Sequence, residues 1–132
     1  MRVFVTGASG HIGSAVVPEL LSAGHQVVGL ARSDASAAAL EAAGAEVRRG
    51  GLDDLDGLQE GAAAADGVIH LAYNHDWMRT GDLQDMQAAV DGDLRAVRAL
   101  GAALEGSDKP FVGTGGTAAL GLAGISDRPA TE

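Results

Sequence analysis

The sequence predicts an α/β fold, a parallel sheet with helices on both faces, and three observations predict it. Short apolar segments rich in β-branched residues alternate with helical patterns along the chain. Residues 67–72 ("GVIHLA") are almost wholly apolar, as a strand covered on both faces is. Three glycines, Gly7, Gly10 and Gly13, stand three apart between the first strand pattern and the first helical one. Such an alternation implies right-handed crossovers between parallel strands.

Each element follows in order. "RVFVT", residues 2–6, reads as a strand from its β-branched and aromatic content. A helix is expected over residues 12–23, with Ile12, Val16, Leu20 and Ala23 along its buried face and Gly24 as its carboxyl cap. Residues 26–31 give a second strand. Residues 33–44 open on capping-type side chains and close on Gly44, the mark of a short helix. "AEVRRG" is a third strand, and residues 53–66 a third helix begun by Asp53 or Asp54. The fourth strand is "GVIHLA", after which "YNHDWMR", residues 73–79, reads as a loop. From residue 82 to 105, Leu83, Met86, Val90, Leu94, Val97 and Leu104 recur at helical spacing, which predicts a long helix covering the sheet. "KPFVGTG" supplies a fifth strand. Repeats, linkers and low-complexity blocks are absent, so residues 1–132 read as one domain.

Composition narrows the function. Hydrophobic residues are 46% and charged residues 20%, an ordinary globular balance. A net charge of −9 repels phosphate backbones and argues against bulk nucleic-acid binding. There is no cysteine, which removes disulfide and thiolate chemistry. No apolar run reaches membrane-spanning length, and "MRVFVTG" lacks a charged-then-apolar leader pattern, so a cytoplasmic location without membrane partners is expected. His70, His75 and Asp76 are too few and too scattered for a metal site, and none is expected.

The glycine turn carries the chemistry. Backbone N–H groups at a helix amino terminus are unpaired, and the helix dipole there favours negative charge. A glycine-rich turn lets that backbone approach a pyrophosphate closely. Gly7 is expected to make the tight turn, Gly10 the close approach, and Gly13 the tight packing of helix on strand. Ser9 adds a hydroxyl, and His11 and Ile12 the amides that open the helix.

"TGASGHIG" resembles the TGxxGxxG fingerprint of the extended and atypical short-chain dehydrogenases/reductases, the group that holds the NAD-dependent epimerase/dehydratases. "GVIHLA", about sixty residues later, is similar to their fourth-strand motif. The resemblance implies a Rossmann-type sheet of about five strands in the order 3-2-1-4-5. The chain would correspond to the amino-terminal half of a longer member, since "ISDRPATE" reads as a loop cut midway. It further implies that the Leu71 and Ala72 backbone lines the nicotinamide end of the site. Leu52 would cover the adenine, although Gly51 stands where family members commonly carry an adenine-binding aspartate.

An acidic side chain at the end of the second strand holds the adenosine ribose and repels a 2′-phosphate. Here Arg32 and Ser33 occupy that spot, which favours NADP(H) over NAD(H); Asp34 could instead accept the ribose hydroxyls. Catalysis in the family uses Tyr-x-x-x-Lys with a serine or threonine hydroxyl. This chain has one tyrosine, Tyr73, and one lysine, Lys109, 36 positions apart, so it holds no such pair. Thr114 and Thr117 are the candidate hydroxyl donors in "VGTGGTAAL". The implied activity is oxidoreduction of a small carbonyl or alcohol, or an epimerase-type reaction on a nucleotide sugar, in a homodimer. The alternative is a module that binds the dinucleotide without turning it over. The stretch from Tyr73 to Arg79 either meets substrate or lets Trp77 pack on the following helix.

Overall fold

The computed structural model describes residues 1–116 and holds a five-stranded parallel sheet in the order β3-β2-β1-β4-β5. In chain order the elements are β1 (Arg2–Thr6), α1 (Gly13–Ser22), β2 (Gln26–Ala31), α2 (Asp34–Ala42), β3 (Glu46–Arg49), α3 (Leu55–Ala63), β4 (Gly67–His70), α4 (Trp77–Thr80), α5 (Leu83–Leu104) and β5 (Phe111–Gly113). The order matches the one implied by the two motifs. It reverses between β1 and β4, and the crevice outside the strands' carboxyl ends at such a point is where ligands bind.

Alternation along the strands divides the core in two. Phe4, Val28, Leu30 and Val68 point to one face and meet Leu58 and Ala62 of α3 and Ala96, Leu100 and Leu104 of α5. Val3, Val5 and Val27 point to the other, where Val17 of α1 and Leu40 of α2 cover them. The caps agree with the sequence pattern. The Ser33 hydroxyl accepts from the Ser36 amide at 3.1 Å, and Asp54 rather than Asp53 accepts from the Gly57 amide at 3.0 Å. At the amino ends of the strands, Arg2 donates two hydrogen bonds to Glu46, at 2.6 and 2.8 Å, tying β1 to β3. That pairing holds the Glu46 carboxyl below its ordinary range and raises Arg2.

Four expectations need correction. The buried face of α1 is Gly13 and Val17 with Leu20 and Leu21 beside them, while Ile12 is 49% exposed and Ala23 is exposed. The helix is rotated because Gly13, which has no side chain, is the residue pressed against the preceding turn. In α5 the buried residues are Ala89, Ala96, Ala99, Leu100 and Leu104, whereas Leu83, Val90 and Leu94 are 74%, 43% and 44% exposed. Ala96, Leu100 and Leu104 meet the sheet and α3, so the stripe of Leu83, Val90 and Leu94 faces outward. Finally, residues 77–80 form the single helical turn α4 inside the expected loop, ended by Gly81 in the left-handed region at φ 68°. Strand β4 also stops at His70, two residues short of the expected strand, which leaves Leu71 and Ala72 in the connection beyond it.

Candidate functional site

Gly7 ends β1 with φ +66°, a left-handed turn that glycine takes without strain. A Cβ placed there would lie 2.7 Å from the Ala72 nitrogen and 2.8 Å from the Leu71 carbonyl carbon. The two sequence motifs therefore touch, backbone against backbone. On Gly13 a Cβ would overlap the carbonyls of Gly7 and Ala8, so this glycine packs α1 onto its own turn rather than onto the strand. Gly10 differs: its Cβ would meet only the Gly7 oxygen, at 3.1 Å, and the residue is exposed.

Helix α1 then opens on Ile12 with no side-chain cap. The Gly10 amide is taken by Gly7 O and the Ser14 amide by Gly10 O, at 2.9 Å each. Ser9, Gly10, His11 and Ile12 are all exposed around this opening. The result is a helix amino terminus with open amides, beside a glycine where a phosphate group has room to approach.

Beneath the turn lies a hydrogen-bonded relay that the sequence reading did not find. The Ala72 N–H donates to Thr6 Oγ1 at 3.3 Å, Thr6 Oγ1 and His70 Nδ1 are 2.7 Å apart, and His70 Nε2 is 3.1 Å from Asp93 Oδ1 on α5. A carboxylate only accepts, which assigns the imidazole proton to Nε2 and leaves Nδ1 to accept the Thr6 hydroxyl. Thr6 and His70 are buried, and the Leu71 amide adds a bond to Thr6 O at 3.2 Å. The backbone after β4 is held to the end of β1 at the place where both approach the glycine turn.

At the end of β2, Arg32, Ser33 and Asp34 are all exposed. Arg32 does not pair with Asp34, and among the described residues its side chain has no hydrogen-bond or ion-pair partner. Asp34 instead pairs with Arg49, at 2.7 Å, and Arg49 also donates to the Ser33 carbonyl at 2.6 Å. Arg49 was missed in the sequence. Its signal was the parallel register, which sets it beside Ala31, the last residue of β2. Leu52 is partly buried against the α3–α5 side of the core.

The remaining candidates are placed less favourably. Thr114 spends both its amide and its hydroxyl on the His70 carbonyl, each at 3.3 Å. Thr117 lies outside the described residues. Tyr73 stacks edge-on with His75 at a centroid distance of 5.0 Å. Lys109 Nζ donates to Ala63 O at 2.8 Å, at the carboxyl end of α3. Trp77 is half-buried on α4, which packs against α5. Among the described residues no three or more His, Asp or Glu side chains converge as metal ligands, and no helix is long and apolar enough to cross a membrane.

Comparison with known proteins adds three findings. The profile of the NAD dependent epimerase/dehydratase family matches residues 3–126. An uncharacterized protein of Schizosaccharomyces pombe is 48% identical over 120 residues, covering 91% of this chain and 39% of that protein. Among solved structures, the triphenylmethane reductase of Citrobacter sp. complexed with NADP(H) aligns at 27% identity with a TM-score of 0.66, over 86% of this chain and 37% of its own. UDP-glucose 4-epimerase from Bifidobacterium longum, in complex with NAD+ and UDP, shares the fold at 21% identity and a TM-score of 0.72, over 92% of this chain and 38% of its own. The chain spans about two fifths of the length of each of these three proteins.

Proposed function

The chain belongs to the NAD dependent epimerase/dehydratase family, and we propose that residues 1–132 form the dinucleotide-binding domain of a cytoplasmic oxidoreductase or epimerase of the short-chain type. The observation that carries this reading is the turn from Gly7 to Gly13. It is clamped on the Leu71–Ala72 backbone at one end and on α1 at the other, and of its three glycines Gly10 is the least hemmed in, with Ser9, His11 and Ile12 exposed around it. A pyrophosphate fits that opening, held by the amides around Ser9, His11 and Ile12 at the start of α1. The backbone of Leu71 and Ala72 would flank the nicotinamide, and Leu52 the adenine. Arg32 and Ser33 would hold a 2′-phosphate, so NADP(H) is preferred over NAD(H). Bound there, the dinucleotide supplies reversible hydride transfer.

The substrate of the whole protein is a small carbonyl, an alcohol or a nucleotide sugar, its oxygen oriented by the hydroxyl of Thr117, or by that of Thr114 once it is released from the His70 carbonyl. The outward apolar stripe of α5 supports a homodimer through that helix. A second reading, a domain that binds the dinucleotide without turnover, is favoured by the position of Lys109. Its ammonium is engaged by α3, and Tyr73 has no lysine partner.

Calorimetric titration with NADPH and NADH tests the cofactor assignment. NADPH is expected to bind the tighter. Arg32→Ala should remove most of the difference, about tenfold for a charged contact of roughly 1.5–3 kcal/mol partly screened by solvent. Equal binding of both dinucleotides by the unmutated chain rules the NADP(H) preference out.

A further inference from the structure

Resting on that reading of the β2 end as the adenosine site, we infer that Arg49 is a second determinant of 2′-phosphate preference, acting by masking Asp34. The site contains a contradiction that Arg49 resolves. Asp34 is a fully exposed carboxylate two residues from Arg32, in the region where an acidic side chain accepts ribose hydroxyls and repels a 2′-phosphate. Left free, it would also offer Arg32 an intramolecular partner. The structure gives it another one. Arg49 Nη2 takes Asp34 Oδ1 at 2.7 Å, while Nη1 of the same guanidinium takes the Ser33 carbonyl at 2.6 Å.

The fork geometry makes this more than a chance surface pair. One planar guanidinium reaches two acceptors on successive residues, so it fixes the turn as well as the charge. The base of Arg49 is itself anchored, because Arg49 lies in register with Ala31 and the next amide, Gly50, donates to Ala31 O at 3.1 Å. The far side of the turn is fixed by the Ser33 hydroxyl on the Ser36 amide. Asp34 is also the first residue of α2, where a negative charge suits the helix dipole, so the orientation toward Arg49 costs it nothing. What remains is two arginines against one carboxylate at the mouth of the site, with Arg32 the arginine not already committed. A polyanionic 2′-phosphate meets a net cation there. Without Arg49 it would meet a neutral pair in which Arg32 and Asp34 compete.

The test uses the 132-residue chain and three variants at exposed positions, Arg49→Ala, Asp34→Asn and the double variant, each titrated with NADPH and NADH. Arg49→Ala is expected to lower the ratio of NADPH to NADH affinity by about three- to tenfold, the scale of a partly screened charge contact. Asp34→Asn should leave the ratio at or above that of the unmutated chain. The double variant should return to that level, since the carboxylate being masked is gone. An unchanged ratio in Arg49→Ala overturns the inference. So does a double variant as poor as Arg49→Ala, because Arg49 would then be meeting the phosphate itself. If the unmutated chain binds both dinucleotides equally, the NADP(H) preference falls while a shifted ratio in Arg49→Ala still supports masking. Binding of neither overturns both.

Discussion

Gly10 and Gly13 look equivalent in the sequence and are opposites in the fold. A side chain on Gly13 would overlap the Gly7 and Ala8 carbonyls, so Gly13→Val is expected to cost roughly 3 kcal/mol, the upper range for overpacking, read as a lower urea midpoint. A side chain on Gly10 meets little protein and fills the space a pyrophosphate needs. Gly10→Val should therefore keep its circular dichroism spectrum and lose both dinucleotides in calorimetry; binding at the unmutated affinity would show that the turn is not the phosphate cradle. The glycine spacing was legible because backbone constraints leave their trace at fixed intervals. Partnerships across the sheet were not. Asp34 stands two residues from Arg32 along the chain, but the register of β2 and β3 delivers Arg49 as its partner.

Helix periodicity shows the same limit one level up. The 3.6-residue repeat marks a helix over residues 83–104 correctly, yet α5 carries two apolar stripes: Ala89, Ala96, Ala99, Leu100 and Leu104 are buried, while Leu83, Val90 and Leu94 face outward. Contact with α3 and the sheet is made through Ala96, Leu100 and Leu104, with Ala96 the small residue at which the helix approaches most closely. Hydrophobic size misleads wherever proximity is limiting. It follows that Ala96→Leu should destabilise the chain by about 1–3 kcal/mol through overpacking. Val90→Glu with Leu94→Glu should leave the melting temperature nearly unchanged. If the α5 stripe pairs two copies, the same double variant should sediment as a monomer where the unmutated chain sediments as a dimer. A variant that unfolds would return those two residues to the core.

For the molecule as a whole, strand number and the helices on both faces were readable from alternation, while the strand order followed only from the family resemblance of the two motifs. Chemistry was harder to read, because it depends on side chains that converge from distant segments. The 132-residue chain by itself is expected to show no NADPH oxidation above background with aldehydes, ketones or nucleotide sugars. Tyr73 has no lysine four residues on to activate its hydroxyl, and a missing general acid typically costs 10²–10⁴-fold. Lys109, the one lysine, is bound to the end of α3. Steady turnover that disappears in Tyr73→Phe would refute this. The strand order also sets a timetable. A ribosome releases β1 first, yet β1 ends in the middle of the sheet, between β2 and β4. By the time β3 has emerged, α1 and α2 are already available to cover Val3, Val5 and Val27. The opposite surface, with Phe4, Val28 and Leu30, must wait for α3 and then for α5. During that interval the nascent half-sheet is greasy on one side only, which is where a chaperone would be needed.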